Sequence, residues 1–230
     1  VYAPTFMANP LSLATHGLAA ETERLNHTLV GLSRKAVGDQ VLVAGDLTTT
    51  GKLMEPLGPM KYEDLYESYK KQISCLADAG VDLLVAETML ASNETLVILD
   101  AAQSVCDLPV FCTLTMEADG SLFFGGNIFD AVEELEAMGA FAVGCNCSTG
   151  PDQLESVIAG IRQRVSIPVI AKPNAGMPTI SPETGEALYS MEPEEFAKSM
   201  LKLKAAGASI LGGCCGTTPE FIRELKKALN

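Results

Sequence analysis

The chain has 230 residues, of which 47% are apolar, and 16 basic against 29 acidic side chains leave a formal net charge of −13. This length and apolar content suffice for one large domain with a substantial core. The acidic balance argues against a nucleic-acid partner, which needs clustered Lys and Arg, and the apolar runs are too short and interrupted to span a membrane.

Short apolar runs alternate with amphipathic segments, a pattern typical of parallel strands that are covered by helices. Val1 and Tyr2 read as the end of one strand, and further strands are predicted at 41–46, 82–87, 109–115, 140–145, 168–172 and 209–213. Helices are predicted around 21–36 and at 62–79, 93–105, 128–138, 152–164, 194–206 and 219–229. This α/β alternation favours a TIM-type (β/α)8 barrel. Seven strands are one too few, so we expect residues 1–230 to form a single barrel domain whose first strand and helix precede Val1.

A weak internal repeat locates the functional edge of the predicted sheet. The segments LADAGVDLLVAET, LEAMGAFAVGCN and LKAAGASILGGCC share Leu, Ala and Gly before an apolar strand. Their glycines, Gly80, Gly139 and Gly207, suit the ends of helices that turn into strands. Seven residues further on stand Glu87, Asn146 and Cys214, followed by Thr88, Cys147 and Cys215. These residues are therefore predicted at the carboxyl ends of the strands, where parallel α/β folds keep their sites.

Thiols at this edge predict a metal site. Cys145 and Cys147 lie in GCNC, and Cys214 and Cys215 form the adjacent pair in GGCCG, whose glycines permit a sharp bend. Thiolates suit zinc, whereas an iron–sulfur cluster needs four cysteines in its own spacing. Three thiolates with an open fourth position favour a catalytic zinc that binds and activates an incoming substrate thiol. Residues 145 and 147 share one face of a strand, so periodicity allows either of them as the third ligand.

Three more residues at predicted strand ends are candidates for binding or catalysis. Glu87 closes LLVAET, so its carboxylate must face solvent, a cation or a substrate amine. Asn174 in KPNAG is placed to hydrogen-bond substrate or to take the open zinc position, and Lys172 suits either an ion pair or a Schiff base. Seven cysteines without a disulfide framework, in a chain without a secretory signal, predict a reducing cytoplasm.

Several motifs resemble the zinc-dependent homocysteine S-methyltransferases, in particular the homocysteine-binding barrel of cobalamin-dependent methionine synthase. They are PTFMAN at 4–9, GDLTTTGKLMEPLG at 45–58, ETM at 87–89, VGCNC at 143–147, KPNAG at 172–176 and GGCCGTTPE at 212–220. The resemblance implies that Cys147, Cys214 and Cys215 hold Zn²⁺ and that the homocysteine thiol takes the fourth position. It also implies that Glu87 holds the homocysteine amino group and that Asn174 lies near the metal.

The resemblance implies a zinc-dependent methyltransferase in which the homocysteine thiolate attacks a methyl group and yields methionine. Methylcobalamin is the implied donor, but the chain lacks an Asp-x-His-x-x-Gly cobalamin motif. We therefore expect a corrinoid-binding domain or protein elsewhere to carry it, with S-methylmethionine, adenosylmethionine or betaine as alternative donors. Two other hypotheses are a Schiff-base lyase on a TIM barrel that uses Lys172 and a non-catalytic metal-binding barrel within a larger assembly.

Overall fold

The structure is a computed structural model that describes every residue from Val1 to Asn230. Six strands form a sheet in which the spatial order follows the order along the chain. They are β1 Ala44–Leu47, β2 Leu83–Met89, β3 Val110–Leu114, β4 Ala142–Cys147, β5 Val169–Pro173 and β8 Ala208–Leu211. A separate antiparallel hairpin consists of β6 Thr179–Ile180 and β7 Ala187–Leu188.

Eight α-helices alternate with these strands. They are α1 Pro10–Ala14, α2 Thr22–Val37, α3 Tyr62–Asp78, α4 Ser92–Val105, α5 Ile128–Ala137, α6 Glu155–Arg164, α7 Pro193–Ala205 and α8 Pro219–Leu229. The predicted helix at 152–164 instead begins with a 3-10 turn at Pro151–Gln153 before α6. Neither α1 nor the β6–β7 hairpin was predicted. None of the helices combines the length and apolar character that crossing a membrane requires.

The alternation of parallel strands and helices confirms the predicted α/β class. Each strand of the sheet pairs with the next strand along the chain, as strands do in a (β/α)8 barrel. The prediction that Val1 and Tyr2 end a strand is also confirmed. Tyr2 forms a parallel bridge with Ala44, and the amides of Ala3 and Ala44 donate hydrogen bonds to Ala44 and Val1 at 2.8 Å each. A seventh strand position therefore flanks β1.

The chain divides into two compact units. The first contains Val1–Cys112 and Ala137–Phe141, and the second contains Thr113–Glu136 and Ala142–Asn230. Each has a core of fully buried apolar side chains, which include Leu65, Ile73, Leu84 and Ile98 in the first unit and Leu114, Leu135, Ile158 and Phe196 in the second. That residues 1–230 act as one domain stays a prediction.

The three glycines of the internal repeat end helices, as their positions in the sequence predict. Gly80, Gly139 and Gly207 each stand two residues beyond the end of a helix, with φ of 80°, 95° and 119°. These left-handed values are strained for residues with a Cβ, so glycine ends the helix and turns the chain toward the next strand. The same unit thus sets where β2, β4 and β8 begin, and hence which residues reach their carboxyl ends.

In the first unit, a buried carboxylate anchors the loop that follows β1. Glu94 is only 3% exposed, yet it accepts hydrogen bonds from the Thr49 hydroxyl at 2.5 Å and the Thr50 amide at 2.8 Å. The Thr50 and Tyr69 hydroxyls also donate to it, at 2.9 and 2.7 Å. Burial and the neighbouring Glu94 charge raise the pKa of Tyr69, so the phenol remains a donor. The loop shares a further bond with β2, because the Thr48 hydroxyl donates to the Glu87 carbonyl at 2.8 Å.

We predict that Glu94→Ala lowers the free energy of unfolding by about 3 kcal/mol, because several buried donors lose a charged acceptor. Glu94→Gln should cost less, about 2 kcal/mol, since one amide oxygen remains to accept hydrogen bonds. Urea unfolding followed by circular dichroism measures both values. Glu67→Gln on the exposed face of α3 is the control, with an expected change below about 0.5 kcal/mol. Equal stability of the Glu94 and Glu67 variants would contradict the anchoring role.

Candidate metal centre

Three cysteines converge in the second unit. The sulfurs of Cys147, Cys214 and Cys215 all lie within 4.8 Å of one another. The Cys147 sulfur is 3.2 Å from that of Cys214 and 3.5 Å from that of Cys215. Cys147 ends β4, whereas the other two lie in the loop that follows β8, so 67 residues separate the two parts of the cluster.

Cys147 is placed by a strained turn. Its φ is 59° and that of Ser148 is 63°, which puts two consecutive non-glycine residues in the left-handed region. Such residues cost roughly 1–3 kcal/mol each and persist only where their surroundings hold them. Here the Ser148 hydroxyl oxygen accepts a hydrogen bond from the Met116 amide at 2.9 Å and lies 3.1 Å from the Thr115 hydroxyl. These contacts of Ser148 therefore hold the strained turn in place.

The paired cysteines are placed by hydrogen bonds to β5. Beyond the end of β8, the Gly212 amide donates to the Ala171 carbonyl at 3.1 Å and the Cys214 amide to the Pro173 carbonyl at 2.8 Å. The Cys215 carbonyl then accepts from the Ala175 amide at 2.9 Å. Because β5 lies between β4 and β8, the carboxyl ends of these two outer strands are about 10 Å apart. By following β5 past its end, the loop brings its thiols to Cys147.

The glycines of GGCCG leave room for this path. A Cβ on Gly213 would lie 2.5 Å from the Thr217 hydroxyl oxygen, and one on Gly212 would lie 3.1 Å from Cγ of Lys172. A Cβ on Gly216 would overlap the Tyr189 ring, and the φ of Gly216 is 78°. The glycines thus serve close packing and a left-handed turn around two adjacent cysteines.

The electrostatics of the cluster favour a bound cation. Hydrogen bonding with Cys214, then burial and the negative charge of the neighbouring sulfurs, raise the pKa of Cys147 well above its usual value. Three thiolates this close repel one another, so a positive charge among them is what would keep all three deprotonated. The Asn146 side-chain amide also donates toward the Cys214 sulfur at 3.6 Å, which favours the thiolate form.

The donor set and its dimensions fit zinc. Tetrahedral zinc with Zn–S bonds of about 2.3 Å requires sulfurs roughly 3.8 Å apart. The sulfur separations of 3.2 and 3.5 Å are slightly shorter than that value, and all three sulfurs lie within 4.8 Å of one another, so a small outward adjustment of the side chains would complete the site. Three soft sulfurs without a carboxylate in the group select zinc over magnesium or calcium.

The other predicted residues lie as follows. Cys145 is fully buried outside the cluster, and burial raises the pKa of its thiol to about 12. Asn174 is buried, and its side-chain oxygen accepts a hydrogen bond from the Cys215 amide at 3.1 Å. Lys172 is half-buried on β5, with its aliphatic stem against Gly212. Glu87 is half-buried on β2 and belongs to the first unit, while the cysteine cluster belongs to the second.

Sequence reasoning missed two residues that lie beside the cysteine cluster. Asn146 stands in the repeat position next to Cys147, so its place at a strand end was a usable signal. Tyr189 follows the unpredicted hairpin, and its ring lies against Gly216, the residue after Cys215. No local pattern indicates that contact, because it depends on how the hairpin folds back.

Comparison with known proteins identifies the relatives of this chain. A family model described as homocysteine S-methyltransferase matches residues 1–229. The chain is 29% identical to the methionine synthases of Mycobacterium leprae and Mycobacterium tuberculosis, in each case over 98% of its own length. It spans about a fifth of the length of these curated relatives, 19% and 20%.

A solved structure shares the fold. The metallated form of the homocysteine methyltransferase MmuM from Escherichia coli superposes with a TM-score of 0.78 at 24% identity, covering 98% of this chain and 78% of that one. The apo form of the same enzyme gives a TM-score of 0.71 over 91% of this chain. At this identity the likeness establishes the fold, in agreement with the predicted α/β architecture.

We predict that Cys147→Ala, Cys214→Ala and Cys215→Ala each lose most of the bound zinc, because each removes one of three ligands. Cys145→Ala is the matched control and should retain zinc, since its sulfur lies outside the cluster. Metal analysis of the purified variants measures this, and circular dichroism checks that all four remain folded. Loss of zinc from Cys145→Ala together with its retention in Cys147→Ala would refute the ligand assignment.

Proposed function

Because the chain belongs to the homocysteine S-methyltransferase family, we propose that it presents the thiolate of homocysteine to a methyl donor and yields methionine. The observation that carries this proposal is the convergence of three thiols from the end of β4 and the loop after β8, with all three sulfurs within 4.8 Å of one another. A three-thiolate site leaves a fourth position for a substrate sulfur, which distinguishes it from a closed structural site.

In this proposal Cys147, Cys214 and Cys215 hold the metal. Bound zinc would supply a positive charge that keeps the substrate thiol deprotonated at neutral pH. The chain itself orients the ligands: Asn146 donates toward Cys214, and Asn174 accepts from the Cys215 amide. Both contacts restrain the sulfurs before substrate arrives, so less ordering is left to binding.

The reaction is a displacement at the methyl carbon. A new S–CH3 bond forms at the homocysteine sulfur, the donor–methyl bond breaks, and its electron pair remains on the donor. The proton of the substrate thiol is released when that thiol binds. The residues of the site thus need to supply a deprotonated, correctly placed sulfur rather than a general base that acts in the transfer itself.

We propose that the methyl donor is a methylated corrinoid carried by another domain or protein. The supporting observation is the 29% identity to two methionine synthases, proteins about five times as long as the matched region. S-methylmethionine, adenosylmethionine or betaine would be the donor if the chain acts alone. A methyl-transfer assay with each donor separates these cases.

The family match favours a methyltransferase over a Schiff-base lyase. The aliphatic part of the Lys172 side chain packs against Gly212, so in this proposal Lys172 helps to hold the loop that carries Cys214 and Cys215. We also propose a reducing, cytoplasmic location, because the seven cysteines are free and zinc ligation needs reduced thiols.

We predict that Glu87→Ala raises the homocysteine KM about ten- to a hundredfold and leaves the zinc content normal. The reason is that Glu87 is proposed to pair with the substrate ammonium, and removal of its carboxylate strands that cation. Steady-state kinetics with metal analysis test this, with Glu63→Ala on the exposed start of α3 as control. If the unmutated protein turns over an analogue without the amino group as fast as homocysteine, the role of Glu87 is wrong.

We also predict that homocysteine changes the metal coordination. X-ray absorption at the zinc edge should show three sulfur ligands without substrate and four with it, because the substrate thiolate takes the open position. Methionine, which lacks a free thiol, serves as the control ligand and should leave three. Four sulfurs in the absence of substrate, unchanged on its addition, would indicate a closed structural site and would exclude the proposed mechanism.

A further inference from the structure

The turn that carries Cys147 is fastened to the end of β3, a strand that contributes no sulfur to the cluster. The Ser148 hydroxyl oxygen accepts a hydrogen bond from the Met116 amide at 2.9 Å and lies 3.1 Å from the Thr115 hydroxyl. It also donates to the Asn146 carbonyl at 3.4 Å. Thr115 and Met116 are only 6% and 2% exposed, so water cannot readily replace these contacts.

The Ser148 hydroxyl uses its full hydrogen-bonding capacity in this arrangement. A serine hydroxyl can donate one hydrogen bond and accept two. With the Thr115 hydroxyl as donor, Ser148 accepts from Thr115 and from the Met116 amide, and its own proton goes to the Asn146 carbonyl. That carbonyl precedes Cys147 in the chain, and Ser148 follows Cys147. The three bonds therefore restrain the backbone on both sides of the cysteine.

This restraint decides where the Cys147 sulfur lies. In a regular extended strand its side chain would project from the same face as that of Cys145, which is fully buried outside the cluster. The φ of 59° at Cys147 turns the thiol away from that path, and a residue with a Cβ keeps such a value only where its surroundings hold it. Without the bonds of Ser148, the turn would relax toward extended values and the Cys147 sulfur would leave the cluster.

We propose that Ser148 is a positioning residue of the three-cysteine site: its hydroxyl, held by the end of β3, keeps the Cys147 sulfur beside the cysteine pair that follows β8. This role rests on the proposed function, because it requires the three cysteines to hold zinc. It makes β3, which supplies no ligand, a determinant of metal affinity.

Two variants of Ser148 separate its hydroxyl from its backbone conformation. Ser148→Ala removes the hydroxyl and keeps a Cβ at a φ of 63°. Ser148→Gly also removes the hydroxyl, but glycine adopts the left-handed conformation without strain. Both variants should bind zinc about ten- to a hundredfold more weakly, the loss typical when a group that orients a metal ligand is removed.

Variants of β3 test the same hydrogen bonds from the other side. Thr115→Val keeps the shape of the side chain and removes its hydroxyl, so it should weaken zinc binding, though less than Ser148→Ala because the Met116 amide remains. Thr115→Ser retains the hydroxyl and should retain the affinity. Thr113→Val is the matched control: it makes the same change two residues earlier, at a buried hydroxyl oxygen without a hydrogen-bond partner, and should bind zinc like the unmutated protein.

Competition with a chelator measures the zinc affinity, and circular dichroism confirms that each variant is folded. A residue that only stabilises the fold would lower the resistance to urea but would leave the zinc affinity of the folded protein unchanged. Full zinc affinity in Ser148→Gly would overturn the inference, because the hydroxyl would then be unnecessary. Equal losses in Thr115→Val and Thr113→Val would also overturn it, since the cause would be the packing of β3.

The same measurements distinguish this inference from the proposed function. An unmutated protein that binds no zinc would overturn both. An unmutated protein that binds zinc but transfers no methyl group to homocysteine would overturn the proposed function alone, and the Ser148 and Thr115 variants would still decide the inference.

Discussion

The site depends on the path of the chain beyond β8. A strand that ended with its ladder at Leu211 would leave the cysteine pair on the far side of β5 from Cys147. The hydrogen bonds from Gly212 and Cys214 to β5 carbonyls, continued by the bond between Ala175 and Cys215, extend that strand as a loop over the end of its neighbour. The convergence of the three sulfurs and the contact of Cys215 with Asn174 both follow from this path. A single backbone trajectory therefore assembles a site from three separate segments.

Strain and close packing are concentrated where the sulfurs meet. Cys147 and Ser148 occupy left-handed conformations, and Thr88, one residue after Glu87, does so too, with φ of 56°. Cys147 and Thr88 hold the same position in the internal repeat, so the same backbone distortion recurs at two strand ends. Such distortion is retained where a side chain must leave the pleated path of its strand. The repeat thus places the same left-handed backbone conformation after two strands. In one copy it follows the carboxylate of Glu87, and in the other it positions the thiol of Cys147.

In the proposed zinc site, hydrogen bonds to the thiolates would help a centre rich in negative charge to accept another thiolate. Donors aimed at the sulfurs reduce the charge that each ligand passes to a metal, and they also hold the ligands in place. The Asn146 side-chain amide at the end of β4 is such a donor, because it points toward the Cys214 sulfur.

Much of this was accessible from the sequence because it is local. Hydrophobic periodicity determined most of the helices and strands to within a few residues, and the repeat glycines identified the helix ends, since a left-handed turn after a helix demands glycine. The preference for Cys147 over Cys145 came from family resemblance, because both residues occupy one face of a strand. Only the tertiary structure separated them physically: the left-handed turn at Cys147 takes that thiol toward the loop, while Cys145 stays in the core. The contacts of Asn146 with the Cys214 sulfur and of the Tyr189 ring with Gly216 were likewise decided by folding, since they join residues distant in sequence through strand pairing and a hairpin that no local pattern specifies.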